Sequence, residues 1–163
     1  MVNGVRGREV EVLLALLNSS PMVDGQPTDA LRGAGAEGWL RAQGIPGSVR
    51  SAREVRDAIA LVVRGMAPAD SLQRYLAAVR RVPVLTADGE VEWRTTGGGV
   101  GAHLVLAWSG LRDRIRPCEN DTECRLFLLD RSKANARRWC SMSTCGNRLK
   151  ARRHHQRIKS AEE

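Results

Sequence analysis

Residues 118–150 read CENDTECRLFLLDRSKANARRWCSMSTCGNRLK, and this stretch decides the fold of the C-terminal third. It holds all four cysteines of the 163-residue chain: Cys118, Cys124, Cys140 and Cys145. They fall into two pairs, with five and four residues inside the pairs and fifteen between them. Thiolates are common ligands of tetrahedral zinc, and two local pairs brought together by folding satisfy its four positions. Clustered cysteines in a reducing compartment serve metals more often than disulfides. Four thiolates predict a closed, structural site, because catalytic zinc keeps one position open. The alternative is four reduced cysteines packed in a core.

Within the stretch, the apolar run Leu126 to Leu129 predicts a strand. Asp130, Ser132 and Asn135 are turn formers, and Arg137 to Trp139 is expected to return as a second strand. A helix-compatible segment, Asn147 to Ser160, follows Cys145. It places that thiolate at a helix N-terminus, where free amides and the helix dipole favour negative charge. The outline is a zinc-bound hairpin followed by a helix, similar to a treble clef. His154 and His155 lie two turns into the helix and read as exposed polar residues rather than ligands.

The charge is concentrated in the same region. From Arg131 to Lys159 there are ten Arg or Lys and no Asp or Glu. Residues 1–111 carry 12 basic and 11 acidic groups; residues 112–160 carry 14 and 5. The net charge of +8 therefore belongs to the C-terminal segment, an asymmetry that points to a polyanionic partner. At about 100° per residue, Arg148, Arg152 and Lys159 fall on one flank of the last helix. Lys150, Arg153 and Arg157 fall on another. These six, with Arg137 and Arg138, are the candidate nucleic-acid contacts. Some of them, Arg137, Arg138 or Arg148, are alternatively local partners of a zinc–thiolate group that sums to −2. A solvated basic face with no ligand is the plain alternative. Duplex DNA is favoured over RNA: one Tyr and one Phe supply a poor stacking platform, and a rigid basic helix suits a major groove.

The first two thirds read as mostly helical. Helices are expected over Arg8 to Asn18, from a cap at Thr28 to about Gln43, from a cap at Ser48 to Met66, and after Pro68. Val82 to Thr86 and Val91 to Thr95 are expected to form a hairpin across Asp88-Gly89, leaning on the helices because an isolated hairpin is marginal. Thr95 to Gly101 reads as a flexible connector, and Val100 to Ile115 as a last helix. The expected fold class is mainly α with a small β-hairpin, an α+β chain. An N-terminal helical domain occupies residues 1–111, with the hairpin near 82–95. A C-terminal treble-clef-like zinc-binding module occupies residues 112–163.

Two blocks, Arg137-Arg-Trp-Cys-Ser-Met142 and Cys145-Gly-Asn-Arg148, preceded by Phe127-Leu-Leu-Asp-Arg-Ser132, resemble the CGNR zinc finger from about Cys118 to His155. In that family the finger ends proteins whose helical N-terminal part is called ABATE. Residues 1–111 are similar in length, in helical content and in Leu16-Leu-Asn18 followed by Trp39-Leu40. The resemblance implies a stress-induced transcriptional regulator. The Cys118–Cys124 gap is wider than the family's, which singles out Cys118 among the ligands.

The expected function is a bacterial DNA-binding regulator with zinc as cofactor, duplex DNA as partner, and a homodimer or a small-molecule effector at the helical part. The alternatives are an RNA- or ribosome-associated zinc protein, or a ligand-sensing or protein-interaction module with purely structural zinc. No enzyme is expected, since His103 stands alone in an apolar stretch. No apolar run approaches the ~20 residues of a membrane span, and no secretory signal is visible. A cytoplasmic location is expected.

Overall fold

In a computed structural model the backbone is described for residues 3–162 and the side chains for residues 7–158. Helix α1 (Asn3–Leu17) buries Leu13, Leu16 and Leu17. Helix α3 (Val49–Val63) begins as the sequence predicts: the Ser48 hydroxyl accepts from the Ser51 amide at 3.1 Å, which satisfies an orphan donor of the first turn. Its Ala52, Val55 and Ile59 face inward, at the three- and four-residue steps of one helical face. Helix α5 (Gly99–Ser109) packs on both α1 and α3. It buries Ala102, Leu104, Val105 and Trp108. Because these three helices share one apolar cluster, burial rather than propensity holds the N-terminal part together.

Several expectations are corrected. The helix from Thr28 is confined to α2 (Ala36–Ala42). Asp29 is drawn inward instead: its carboxylate receives both Nη groups of Arg56, at 2.7 and 3.0 Å, and the Leu31 amide at 2.9 Å. The loop before it contains a two-residue ribbon, β1 (Met22–Val23) with β2 (Gln26–Pro27). After Pro68 the chain forms a short 3-10 turn and then α4 (Gln73–Leu76), not a full helix. The last N-terminal helix stops at Ser109, so Ile115 lies in a strand.

The other corrections concern sheets. The hairpin of β3 (Arg80–Leu85) and β4 (Val91–Thr96) forms in the expected place. It does not lean on the helices: every residue is exposed except the half-buried Val84. The connector at its base is closely packed. Gly97 and Gly98 have φ of 80° and 81°. A Cβ on Gly97 would lie 2.3 Å from the Ala78 carbonyl oxygen, and one on Gly98 would lie 2.4 Å from the Ala102 Cβ. Only glycine permits this conformation and this approach.

The strand predicted near Leu126 is β6 (Phe127–Leu129), but its partner is β5 (Ile115–Pro117). Residues 137–139 form no strand, because their backbone is engaged elsewhere. The Arg137 amide donates to Asp130 Oδ2 at 2.7 Å, and the Arg138 carbonyl accepts from Glu119 at 3.0 Å. The β5–β6 pair joins two cores. Ile115 and Phe127 pack into the main cluster, while Cys118 and Cys124, just beyond the strands, belong to a second cluster with Cys145. A π-helical turn (Met142–Gly146) then leads into α6 (Asn147–Glu162). Helices with small antiparallel sheets and a C-terminal four-cysteine cluster make this an α+β chain, as expected.

Candidate metal centre and basic helix

All four cysteines converge. Their sulfurs lie within 4.8 Å of one another. Cys118, Cys124 and Cys145 are buried and Cys140 is half-buried. The Cys124–Cys140 and Cys140–Cys145 Sγ distances are both 3.6 Å. That is far beyond a disulfide bond of about 2.05 Å. A tetrahedron of thiolates with metal–sulfur bonds near 2.3 Å has edges of about 3.8 Å. The set therefore fits one tetrahedral ion.

Each ligand has a local cause. The knuckle between Cys118 and Cys124 is closed by the Asn120 carbonyl, which accepts from the Glu123 and Cys124 amides at 3.1 and 2.7 Å. The wide first gap is thus taken up by a turn, and Cys118 reaches the cluster with 1% of its surface exposed. The Cys140 amide points at Cys118 Sγ, 3.5 Å away. Cys145 sits in the π-helical turn that opens α6. Burial would raise its pKa, but hydrogen bonds from Asn120 and from the neighbouring thiols hold it below the usual thiol range. Burial pushes the Cys124 thiol up to about 11 and Cys140 higher still, and the other thiols add to the rise at Cys140. Four thiolates gathered this closely need a compensating cation.

Asp130 organises the loop that carries the second pair. It is buried, and its two oxygens accept from the Ser132 amide at 2.8 Å and the Arg137 amide at 2.7 Å. Bonding to Ser132 outweighs burial; with the Arg137 amide and the Arg116 charge it holds the carboxyl at about 2. By residue type alone Asp130 is a turn former. The loop that it closes brings Cys140 back to Cys118.

The eight basic candidates divide sharply. Arg137 donates from Nε to the Trp139 carbonyl at 2.9 Å and from Nη2 to the Cys140 carbonyl. Arg138 pairs with Glu119 at 2.5 Å and lies over the Trp139 ring. Arg148 pairs with Glu123 at 3.9 Å, and Arg152 binds Glu123 and the Thr122 hydroxyl. These four brace the metal knuckle. Lys150, Arg153 and Arg157 instead line, with Gln156, an open trough of 690 Å³. The two flanks of the helical projection are therefore distinct: one docks the helix, the other faces outward. The Lys159 side chain lies outside the described residues. His154 and His155 are exposed and absent from the sulfur cluster.

Two further residues, both missed as site residues, attach the metal module to the helices. The Asn18 amide group pairs with both backbone groups of Phe127, accepting at 2.7 Å and donating at 3.1 Å. It acts as a one-residue strand on β6. Arg64 donates to the Arg125 carbonyl at 2.8 Å and lies 4.5 Å from the Phe127 ring centre. Asn18 follows an apolar helix and would be read as a helix end; a partner 109 positions away leaves no local signal.

No helix among the described residues is long and apolar enough to cross a membrane. No curated protein matches the chain. Two family models do. The CGNR zinc finger matches residues 114–158, and ABATE, described as "Putative stress-induced transcription regulator", matches residues 11–117. Their boundary falls on β5, where the two apolar clusters meet, and the chain belongs to the ABATE family with a CGNR zinc finger at its C-terminal end.

Proposed function

We propose that the protein is a DNA-binding transcriptional regulator in which a structural zinc ion, held by Cys118, Cys124, Cys140 and Cys145, positions α6 on duplex DNA. The carrying observation is the division of the basic helix. Glu119 and Glu123 engage Arg138, Arg148 and Arg152. The face with Lys150 and Arg153 has no carboxylate among its lining residues. An exposed basic surface with no carboxylate in its lining is what phosphate contact requires. Zinc supplies the cross-link that holds two loops and a helix start together; the residues supply the contact.

The test is binding of zinc-loaded protein to a duplex and to a structured RNA over a salt series. Arg153→Ala and Lys150→Ala are each expected to weaken duplex binding across sequences and to flatten the log–log salt slope by about 1. Binding that is insensitive to both substitutions sinks the proposal, and tighter binding to the RNA transfers it to RNA. An effector role for the helical part is favoured by a 680 Å³ cleft between α3 and residues 125–127, lined by Leu17, Leu61 and Phe127 with Arg64 and Arg125. Its size is that of a small-molecule site. The protein is read as a binder, not an enzyme: His103 Nδ1 is 2.8 Å from its own helix's Gly99 carbonyl.

A further inference from the structure

The β3–β4 hairpin is an anomaly of composition. It exposes Leu85 at 71%, Val91 at 58% and Trp93 at 57%. The register puts these three, with Pro83, on one face, because Leu85 pairs with Val91 and Pro83 with Trp93. A two-stranded ribbon with no covering layer is marginal in water, and a large exposed apolar face marks an interaction site.

The register also identifies the open edge. The Thr86 amide donates to the Glu90 carbonyl at 2.8 Å. Alternation then makes 84/92, 82/94 and 80/96 the bonded pairs, so Val91, Trp93 and Thr95 direct their N–H and C=O groups outward. On β3 the outward residues are Arg81, Pro83 and Leu85, and Pro83 has no N–H to offer. The β3 edge is blocked as natural edges commonly are. The β4 edge is not.

The β4 sequence Val91-Glu-Trp-Arg-Thr95 is complementary to itself. When two copies run antiparallel about Trp93, that residue meets its own counterpart. The outward groups of Val91 meet those of Thr95, so every pairing is in hydrogen-bonding phase. Glu92 then stands opposite Arg94 of the other copy, and Arg94 opposite Glu92, at the closer, non-bonded positions of the ladder. Within one strand Arg94 lies 3.7 Å from Glu92, and a second copy also meets the opposite sign at each position.

We infer that β4 is a homodimerisation edge: two copies of this chain join their hairpins into one four-stranded antiparallel sheet centred on Trp93. The occupant is a second copy because both the hydrogen-bond phase and the charges match under one two-fold. The joined sheet also merges two apolar faces around adjacent tryptophans. An interface of this kind is small, so a micromolar dissociation constant is expected.

The experiment is sedimentation equilibrium of the full, zinc-loaded chain between about 1 and 100 µM, a range that brackets the expected constant. The mass should rise from 17.9 kDa toward twice that value. Glu92→Arg and Arg94→Glu should each abolish the rise, since like charges then face each other. Mixing the two variants should restore it, because the heterodimer pairs Arg with Glu at both positions. The double variant E92R/R94E should also dimerise alone. A wild-type chain that stays monomeric throughout overturns the inference. So does a dimer indifferent to the single changes, or one that neither the mixture nor the double variant restores. Circular dichroism of each variant checks that the helical core, which the hairpin does not cover, is intact.

Discussion

At the residue scale, the metal ligands and the buried ion pair behave differently. Cys118 is as enclosed as its partners and receives the Cys140 amide. Cys118→Ser is therefore expected to lose bound zinc as completely as Cys145→Ser does; metal analysis of the purified variants checks this. Arg56 and Asp29 form a buried ion pair, with side chains 6% and 10% exposed. Burial alone would raise the Asp29 pKa, but hydrogen bonds from Arg56 and Leu31 and the arginine charge lower it. A lowered folded value stabilises above the unfolded value of about 3.9 and loses its effect as pH falls through the folded one. Asp29→Ala leaves Arg56 buried without its main partner and is expected to cost about 3 kcal/mol at neutral pH. The deficit should shrink as the wild type is acidified below about pH 4, which denaturant titration at several pH values would show. Neither Asp29 nor Arg56 stands out in the sequence. Both look like surface residues, because pairing partners 27 positions apart carry no periodic signature.

At the scale of elements, the hairpin base is the most constrained point. Replacing Gly97 with alanine forces a Cβ onto the Ala78 carbonyl at a φ that favours glycine. A loss of about 2 kcal/mol or more is expected, read as a lowered thermal midpoint, whereas Gly35→Ala, with open space around it, should be nearly neutral. The three successive glycines looked like a linker because composition alone cannot distinguish freedom from close approach. Ser48 was legible for the opposite reason: a cap acts on its own next turn, within three residues. The partner of β6 was not legible, since strand pairing depends on which edge the tertiary fold presents.

At the scale of the molecule, two apolar clusters are joined by β5–β6 and by the Asn18 and Arg64 contacts. Removing zinc with a chelator should unfold the cysteine knuckle and α6 while leaving α1, α3 and α5 folded. Hydrogen exchange should report fast amides in residues 118–158 with protection retained in α3. Collapse of α1 together with the module would show that the Phe127 contacts make it one cooperative unit.

The sequence by itself determined the four-cysteine set, the helical character of the N-terminal part and the location of the hairpin. These rest on residue type and short spacing, which act locally. Only the tertiary structure decided which arginines are spent on Glu119 and Glu123 and which face outward, which strand pairs with Phe127–Leu129, and that the hairpin stands uncovered. Each of those outcomes depends on distant groups meeting in space, and a linear pattern does not encode the meeting.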